Sequence, residues 1–161
     1  MSKAFTRESD DDFDLSIPNR LSPIPTGGKN YVTRAGVERL RAELSELLQT
    51  QGSATAAESR RKLHDRIRYL DQSLESSVLV DPPPQPWDHV RFGATVIVRY
   101  PDGEEVRYRI VGADEADPSK DWISWCSPLA TALMDRKVGE RVKFRAPAGE
   151  QQLEIVRISY E

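Results

Sequence analysis

Three consecutive prolines at positions 82–84, with a fourth at Pro86, divide the 161-residue chain into parts that follow different hydrophobic periods. Consecutive prolines end a helix and favour extended polyproline geometry, so the run Asp81-Pro-Pro-Pro-Gln-Pro-Trp87 reads as a stiff spacer, with the linker taken as residues 81–90. Before it, apolar residues recur at threes and fours. Val37, Leu40, Leu44 and Leu47 or Leu48 form one stripe, and Leu63, Ile67, Leu70, Leu74 and Val78 form another. Gly52-Ser53 breaks the two runs. Thr33 is placed to cap the first helix, and Ser53 or Thr55 the second. Residues 33–80 are therefore expected to form a helical hairpin, its stripes facing each other as a short antiparallel coiled coil with arms of about 25–35 Å.

After the spacer the period changes to two. Residues 94–100 and 105–111 read as strands around Pro101-Asp102-Gly103, and residues 140–145 and 151–160 as a second hairpin around Pro147-Ala148-Gly149. Trp122 to Cys126 makes a third short strand, and Ser127-Pro128 caps and starts a short helix running to Met134. The expected class is α+β, with an antiparallel β-domain of five strands and one small helix over residues 91–161.

Residues 1–32 pack poorly on paper. Glu8, Asp10, Asp11, Asp12 and Asp14 fall in one seven-residue stretch, with Pro18, Pro23, Pro25, Gly27 and Gly28 following. This segment is expected to be a disordered acidic leader, either simply solvated or screening a basic surface. It has no apolar stretch of the secretory kind, and no run in the chain approaches the roughly 20 apolar residues of a membrane span, so the expected location is cytoplasmic. The net charge of −3 argues against tight non-specific duplex binding.

Residues for catalysis are sparse. The single Cys126 excludes a disulfide framework and reads as an inert thiol following two aromatics. His64 and His89 neighbour no nucleophile in sequence. Asp114, Glu115 and Asp117 share a loop but lack the ligand number and spacing of a metal site. No Gly-rich phosphate loop is present. No catalytic residue, metal or cofactor is expected, and the chain is not expected to be an enzyme. Two features suit binding instead. Arg60, Arg61, Lys62, Arg66 and Arg68 crowd into residues 58–68, where they could hold phosphates or an acidic protein, or form a solvated helix face. Trp122 and Trp125 lie on opposite faces of one short strand, so at least one is expected to be exposed for a protein contact.

Several strings, taken in order, resemble the bacterial GreA/GreB family, more closely GreB. They are Lys29-Asn-Tyr-Val-Thr-Arg-Ala-Gly-Val-Glu-Arg-Leu40, Arg66-Ile-Arg-Tyr-Leu70, Phe92-Gly93, Arg109-Ile-Val-Gly112 with Asp114-Glu115, Ser127-Pro128-Leu129-Ala130, Val138-Gly139 and Ala146-Pro-Ala-Gly-Glu150. The resemblance implies an N-terminal coiled coil and an FKBP-like C-terminal domain. It implies RNA polymerase as partner, with the C-terminal domain at the rim of the secondary channel and the coiled coil inside it. Nucleic acid would be met only within that complex, and neither a membrane nor a small-molecule substrate is implied. The family's acidic tip helps hold a magnesium ion and the attacking water in the polymerase's own centre, where backtracked RNA is cut.

Two departures stand out. The turn here reads Leu48-Gln-Thr-Gln-Gly-Ser-Ala-Thr-Ala-Ala-Glu-Ser59, without the family's paired acids and with Glu58 alone. The hairpin is also several turns shorter, which leaves it tens of ångströms from the catalytic centre. In the docking loop, Cys126 stands where the family often has an acid before Ser-Pro. The resemblance thus assigns polymerase docking to Cys126, Ser127 and Pro128, and matches Arg60, Arg66 and Arg68 to the family's basic patch. The leading expectation is an elongation regulator that binds polymerase without transcript-cleavage activity. The alternatives are a GreB-like factor that still stimulates cleavage through Glu58, Asp114 or Glu115, a prolyl isomerase, and a module with a non-polymerase partner.

Overall fold

The structure, a computed structural model, describes residues 24–161. Its N-terminal part runs β1 (Asn30–Val32), α1 (Arg34–Thr50), a 3-10 turn (Gln51–Ser53), α2 (Ala57–Ser76) and β2 (Ser77–Leu79). Thr33 caps α1, its Oγ1 accepting from the Gly36 N–H at 3.0 Å. Val37, Leu40, Leu63 and Leu70 are buried, so the two stripes do pack α1 against α2. The second cap differs from expectation. Ala56 is the N-cap residue of α2 and makes no side-chain bond, while Glu58 in the first turn complements the helix dipole.

Two boundaries are corrected. The helical stripe does not continue to Val78, because α2 stops at Ser76 and the chain turns extended into β2. There β2 pairs in parallel with β1, Tyr31 opposite Val78, and the Val80 N–H extends the pairing to the Val32 carbonyl at 3.0 Å. The expected leader is therefore too long. Residues 30–32 are ordered by this ladder and by Asn30, whose Nδ2 donates to the Ser73 carbonyl at 3.1 Å, and Val32 is fully buried. The acidic stretch at residues 8–14 lies outside the described residues.

The C-terminal part contains β3 (Ala94–Arg99), β4 (Glu105–Val111), β5 (Trp122–Ser124), α3 (Pro128–Leu133), β6 (Arg141–Ala146) and β7 (Gly149–Tyr160). One sheet has the order β5-β4-β3-β7-β6. Four of these strands are antiparallel as expected, but β5 runs parallel to β4, because the loop at 112–121 carries the chain back before β5 begins. The sheet is thus mixed, and the class is α+β. Val96, Val98, Ile110, Leu153, Ile155 and, from α3, Ala130 and Leu133 form the core of this part.

The prolines do not form a free spacer. Trp87 donates from Nε1 to the Pro83 carbonyl at 3.0 Å and packs at a tilt against Tyr160 at 5.4 Å, and Val90 is fully buried in the core. The expected linker, residues 81–90, thus lies along the β-domain.

Two adjacent carboxylates join the two parts. Glu115, 3% exposed, accepts from the backbone N–H groups of Thr33 at 3.0 Å and Gly112 at 2.8 Å, and from the Thr33 hydroxyl. Asp114 accepts from the Tyr69 hydroxyl and from Ser73 Oγ at 2.5 Å, both on α2. Gly36 makes room for this. A Cβ there would sit 2.2 Å from a Glu115 carboxylate oxygen, so α1 comes this close only because residue 36 has no side chain.

Candidate functional site

Three regions carry the expected site residues. The first is the tip of the helical hairpin. Between Thr50 and Ala57 it is built from small and polar residues, with the Ser53 hydroxyl closing the turn on the Thr50 carbonyl at 2.7 Å and Gln51 Nε2 3.3 Å from His64 Nε2. Glu58, the acid nearest the turn, is exposed and forms an i,i+4 pair with Lys62 at 3.5 Å. A neutral tip with one paired carboxylate offers a cation little. Among the described residues there is no group of three or more His, Cys, Asp or Glu able to hold a metal ion.

The second region is the basic patch, which divides. Arg66 turns inward, donating to Glu43 of α1 at 2.7 Å and lying 5.6 Å from the centre of the Tyr69 ring, with its side chain only 16% exposed. It is a structural contact between the helices. Arg60, Arg61 and Arg68 are exposed. At about 100° per residue, Arg61 and Arg68 project in nearly the same direction and Arg60 lies on the adjoining flank, so these three share a solvent-facing side.

The third region is the turn into α3. Ser127 is the N-cap, its Oγ accepting from the Ala130 N–H at 3.2 Å, and Pro128 occupies the first helical position with its ring exposed. Cys126 is half-buried, its Sγ 3.0 Å from the hydroxyl of buried Ser124. Behind this turn, Trp125 meets Tyr31 of β1 edge-on at 5.1 Å, and Tyr31 packs against Phe92 at 5.9 Å. The turn is therefore backed by aromatic rings from both parts of the chain.

Other expected positions have different roles. The two tryptophans do not share a strand, since β5 ends at Ser124, and neither is exposed: Trp125 is braced by Tyr31, and Trp122 is half-buried under Arg39, Arg109 and Lys120. Asp114 and Glu115 are the interdomain latch rather than a free loop cluster. Asp117 instead closes a turn, accepting from the Ser119 N–H and hydroxyl, and that bond to Ser119 holds its carboxyl below the usual carboxylate range. The latch was hidden in the sequence because its partners lie 82 residues apart. Gly36 inside an otherwise strong helix was the available signal.

The model of the transcription elongation factor GreA/GreB C-terminal domain matches residues 84–160. The GreB factor of Neisseria meningitidis serogroup B is 35% identical over 159 residues, a match that spans 85% of this chain and 98% of that protein. The chain belongs to the GreA/GreB family. The GreB factor of Pseudomonas aeruginosa is similarly close to this GreA/GreB member, 37% identical over 163 residues, covering 88% of this chain and 97% of the relative. A solved structure of a GreA/GreB elongation factor from Nitrosomonas europaea is 26% identical, with a TM-score of 0.43, covering 82% of this chain and 100% of that one.

Two consequences follow for this GreA/GreB chain. First, the relatives are named GreB and GreA transcription elongation factors, and they do not support the expectation that the chain is not an enzyme. Second, 85% of 161 residues is about 137, so about 22 of the 159 aligned positions of the Neisseria GreB face no residue here. The same arithmetic on the Pseudomonas GreB, 88% of 161 against 163 positions, leaves about 21.

Proposed function

We propose that this chain is an elongation regulator that binds RNA polymerase at the secondary channel in the cytoplasm, inserting a short neutral hairpin that does not accelerate cleavage of backtracked RNA. In this reading α1 and α2 are the family's coiled coil, shortened, and the C-terminal sheet with α3 is its FKBP-like domain. The observation that carries it is the tip. Residues 50–57 contain no acid, and Glu58 is engaged with Lys62.

Length argues the same way. The C-terminal domain matches the family model through residues 84–160, so we assign the roughly 22 missing positions to the hairpin. Taken equally from two arms at 1.5 Å per residue, they shorten its reach by about 16 Å. This is less than the tens of ångströms first expected. It is still several times the distance over which a carboxylate can coordinate a cation. The alternative that recruits Asp114 or Glu115 as replacement acids gains no support, since both are engaged in the latch.

Docking is assigned to Pro128, Ser127 and Cys126. Pro128 offers an exposed apolar ring on a turn that the Ser127 cap and the Trp125–Tyr31 contact hold rigid, and a rigid surface loses little entropy on binding. Arg60, Arg61 and Arg68 supply cations along the hairpin for phosphate or acidic protein in the channel. Titration of core RNA polymerase with the labelled chain tests the assignment. Saturable binding that weakens in a Pro128→Ala variant is expected, and no binding at tens of micromolar would contradict it.

A further inference from the structure

The outer face of the sheet carries a row of side chains for which polymerase docking has no use. Thr95 on β3 stands opposite Arg109 on β4, and Arg109 opposite Trp122 on β5, so the three lie on one register line across three strands. Arg107 follows on the same face two residues along β4. Lys120 Nζ lies 4.8 Å and Arg109 Cζ 5.1 Å from the centre of the Trp122 ring. These five residues and Glu161 line a cavity of about 200 Å³.

The cavity holds unused hydrogen-bonding capacity. Thr95 is 2% exposed, and among the described residues neither its Oγ1 nor the buried Arg109 Nε has a hydrogen-bond partner. Buried polar atoms are nearly always paired, and one left alone carries the full cost of its desolvation. The Glu161 carboxylate pairs with Arg107 and reaches Arg109 at 3.8 Å. Among the lining residues it is the one acid against three cations.

We propose that this cavity binds a terminal phosphoryl group, with the Glu161 carboxylate as its competitor within the chain. A terminal phosphoryl group brings about 1.5–2 negative charges and three acceptor oxygens, against one charge and two oxygens for the carboxylate. Arg107 and Arg109 supply planar donor forks, Lys120 a mobile point charge, and Thr95 a hydroxyl donor at the buried end. A phosphodiester fits less well, because it offers two free oxygens where a terminal phosphoryl group offers three. Trp122 walls the site and holds Arg109 and Lys120 by cation–π contact. Arg39 of α1 lies over the same ring at 5.4 Å, so the site sits beside the hairpin junction.

The test is calorimetric titration of the full chain at constant ionic strength with three probes: inorganic phosphate, a 5′-phosphorylated trinucleotide, and the same trinucleotide without that phosphate. The first two are expected to bind saturably at about millimolar concentration or below, and the third not to bind. Binding of inorganic phosphate alone also supports the site and identifies a free anion as its ligand. Lys120→Ala removes an exposed side chain and its 3.8 Å surface ion pair with Asp117, a pair of small worth to stability, and should weaken binding by roughly tenfold. Glu161→Gln should tighten it several-fold. Absence of saturable binding up to about 20 mM phosphate, equal binding of the trinucleotide lacking its terminal phosphate, or wild-type affinity in both Lys120→Ala and Arg107→Ala would overturn the proposal.

Discussion

Glu115 closes on Thr33 from the far part of the chain, taking hydrogen bonds from both its backbone N–H and its hydroxyl, so one carboxylate braces the N-terminus of α1 against the loop after β4. The helix cap and the interdomain contact are therefore the same few atoms. With Asp114 bonded to Tyr69 and Ser73, this latch holds both helices at a set angle to the sheet. Rigidity at the base of the hairpin fixes where its tip lies, because a small rotation there is multiplied along the arm.

The latch is expected to break in two ways. Replacing Thr33 by Ala leaves a buried carboxylate short of a donor and α1 short of a cap, at a cost of about 2–4 kcal/mol in chemical denaturation. Gly36→Ala forces a methyl group against Glu115 and should cost a similar amount, although alanine in a free helix would gain about 1 kcal/mol. Hydrogen exchange should show lost protection at Thr33, Gly36 and Gly112. A stabilised Gly36→Ala protein would contradict the geometry.

The four arginines of α2 should separate by assay. Arg66→Ala removes the contact with Glu43 and should lower stability by about 1–3 kcal/mol. Arg60→Ala, Arg61→Ala and Arg68→Ala should each change stability by less than about 0.5 kcal/mol. Combined, those three should weaken polymerase binding and reduce its salt dependence, measured by titration at two salt concentrations.

The turn at Ser127 divides along similar lines. Ser127→Ala removes the α3 cap and should cost about 1 kcal/mol in thermal or chemical unfolding. Pro128→Ala leaves the cap bond in place, so its effect should appear in polymerase affinity more than in stability. Equal loss in both assays for both variants would show that the turn serves the fold alone.

Alkali should destabilise this chain through its tyrosines. Burial first, and then the hydrogen bond with Tyr100 at 2.9 Å, pushes the Tyr108 phenol above its ordinary value of 10.0, and burial also raises Tyr160. The folded state therefore favours the neutral phenols. Their contribution is complete below about pH 10 and is lost as pH rises toward the folded pKa values, because the unfolded chain releases those protons first. Denaturation midpoints at pH 9, 10 and 11 should fall in that order, and the fall should be smaller in Tyr108→Phe.

Local features of this fold were legible in the sequence, and long-range ones less so. Thr33 before an apolar period, Asp102-Gly103 between two alternating runs and Ser127-Pro128 before a helix each carry their structural meaning within four or five residues. The short ladder of β1 on β2 carries no such signal, and Val78 continued a helical period so well that α2 read two residues too long. The parallel pairing of β5 depends on where a ten-residue loop returns, which no period encodes. At the candidate site, the neutral tip and the Ser-Pro turn were readable directly. The inward turn of Arg66 was not, since it depends on Glu43 facing it across the hairpin.

The most direct measurement of the central claim is a cleavage assay on backtracked elongation complexes. The chain is added with Mg²⁺ at saturating concentration, alone and in competition with a GreB factor. No shortening of the RNA above the polymerase's own rate is expected, and GreB-dependent cleavage should slow as the chain occupies the channel. Rapid RNA shortening by the chain alone would contradict the claim.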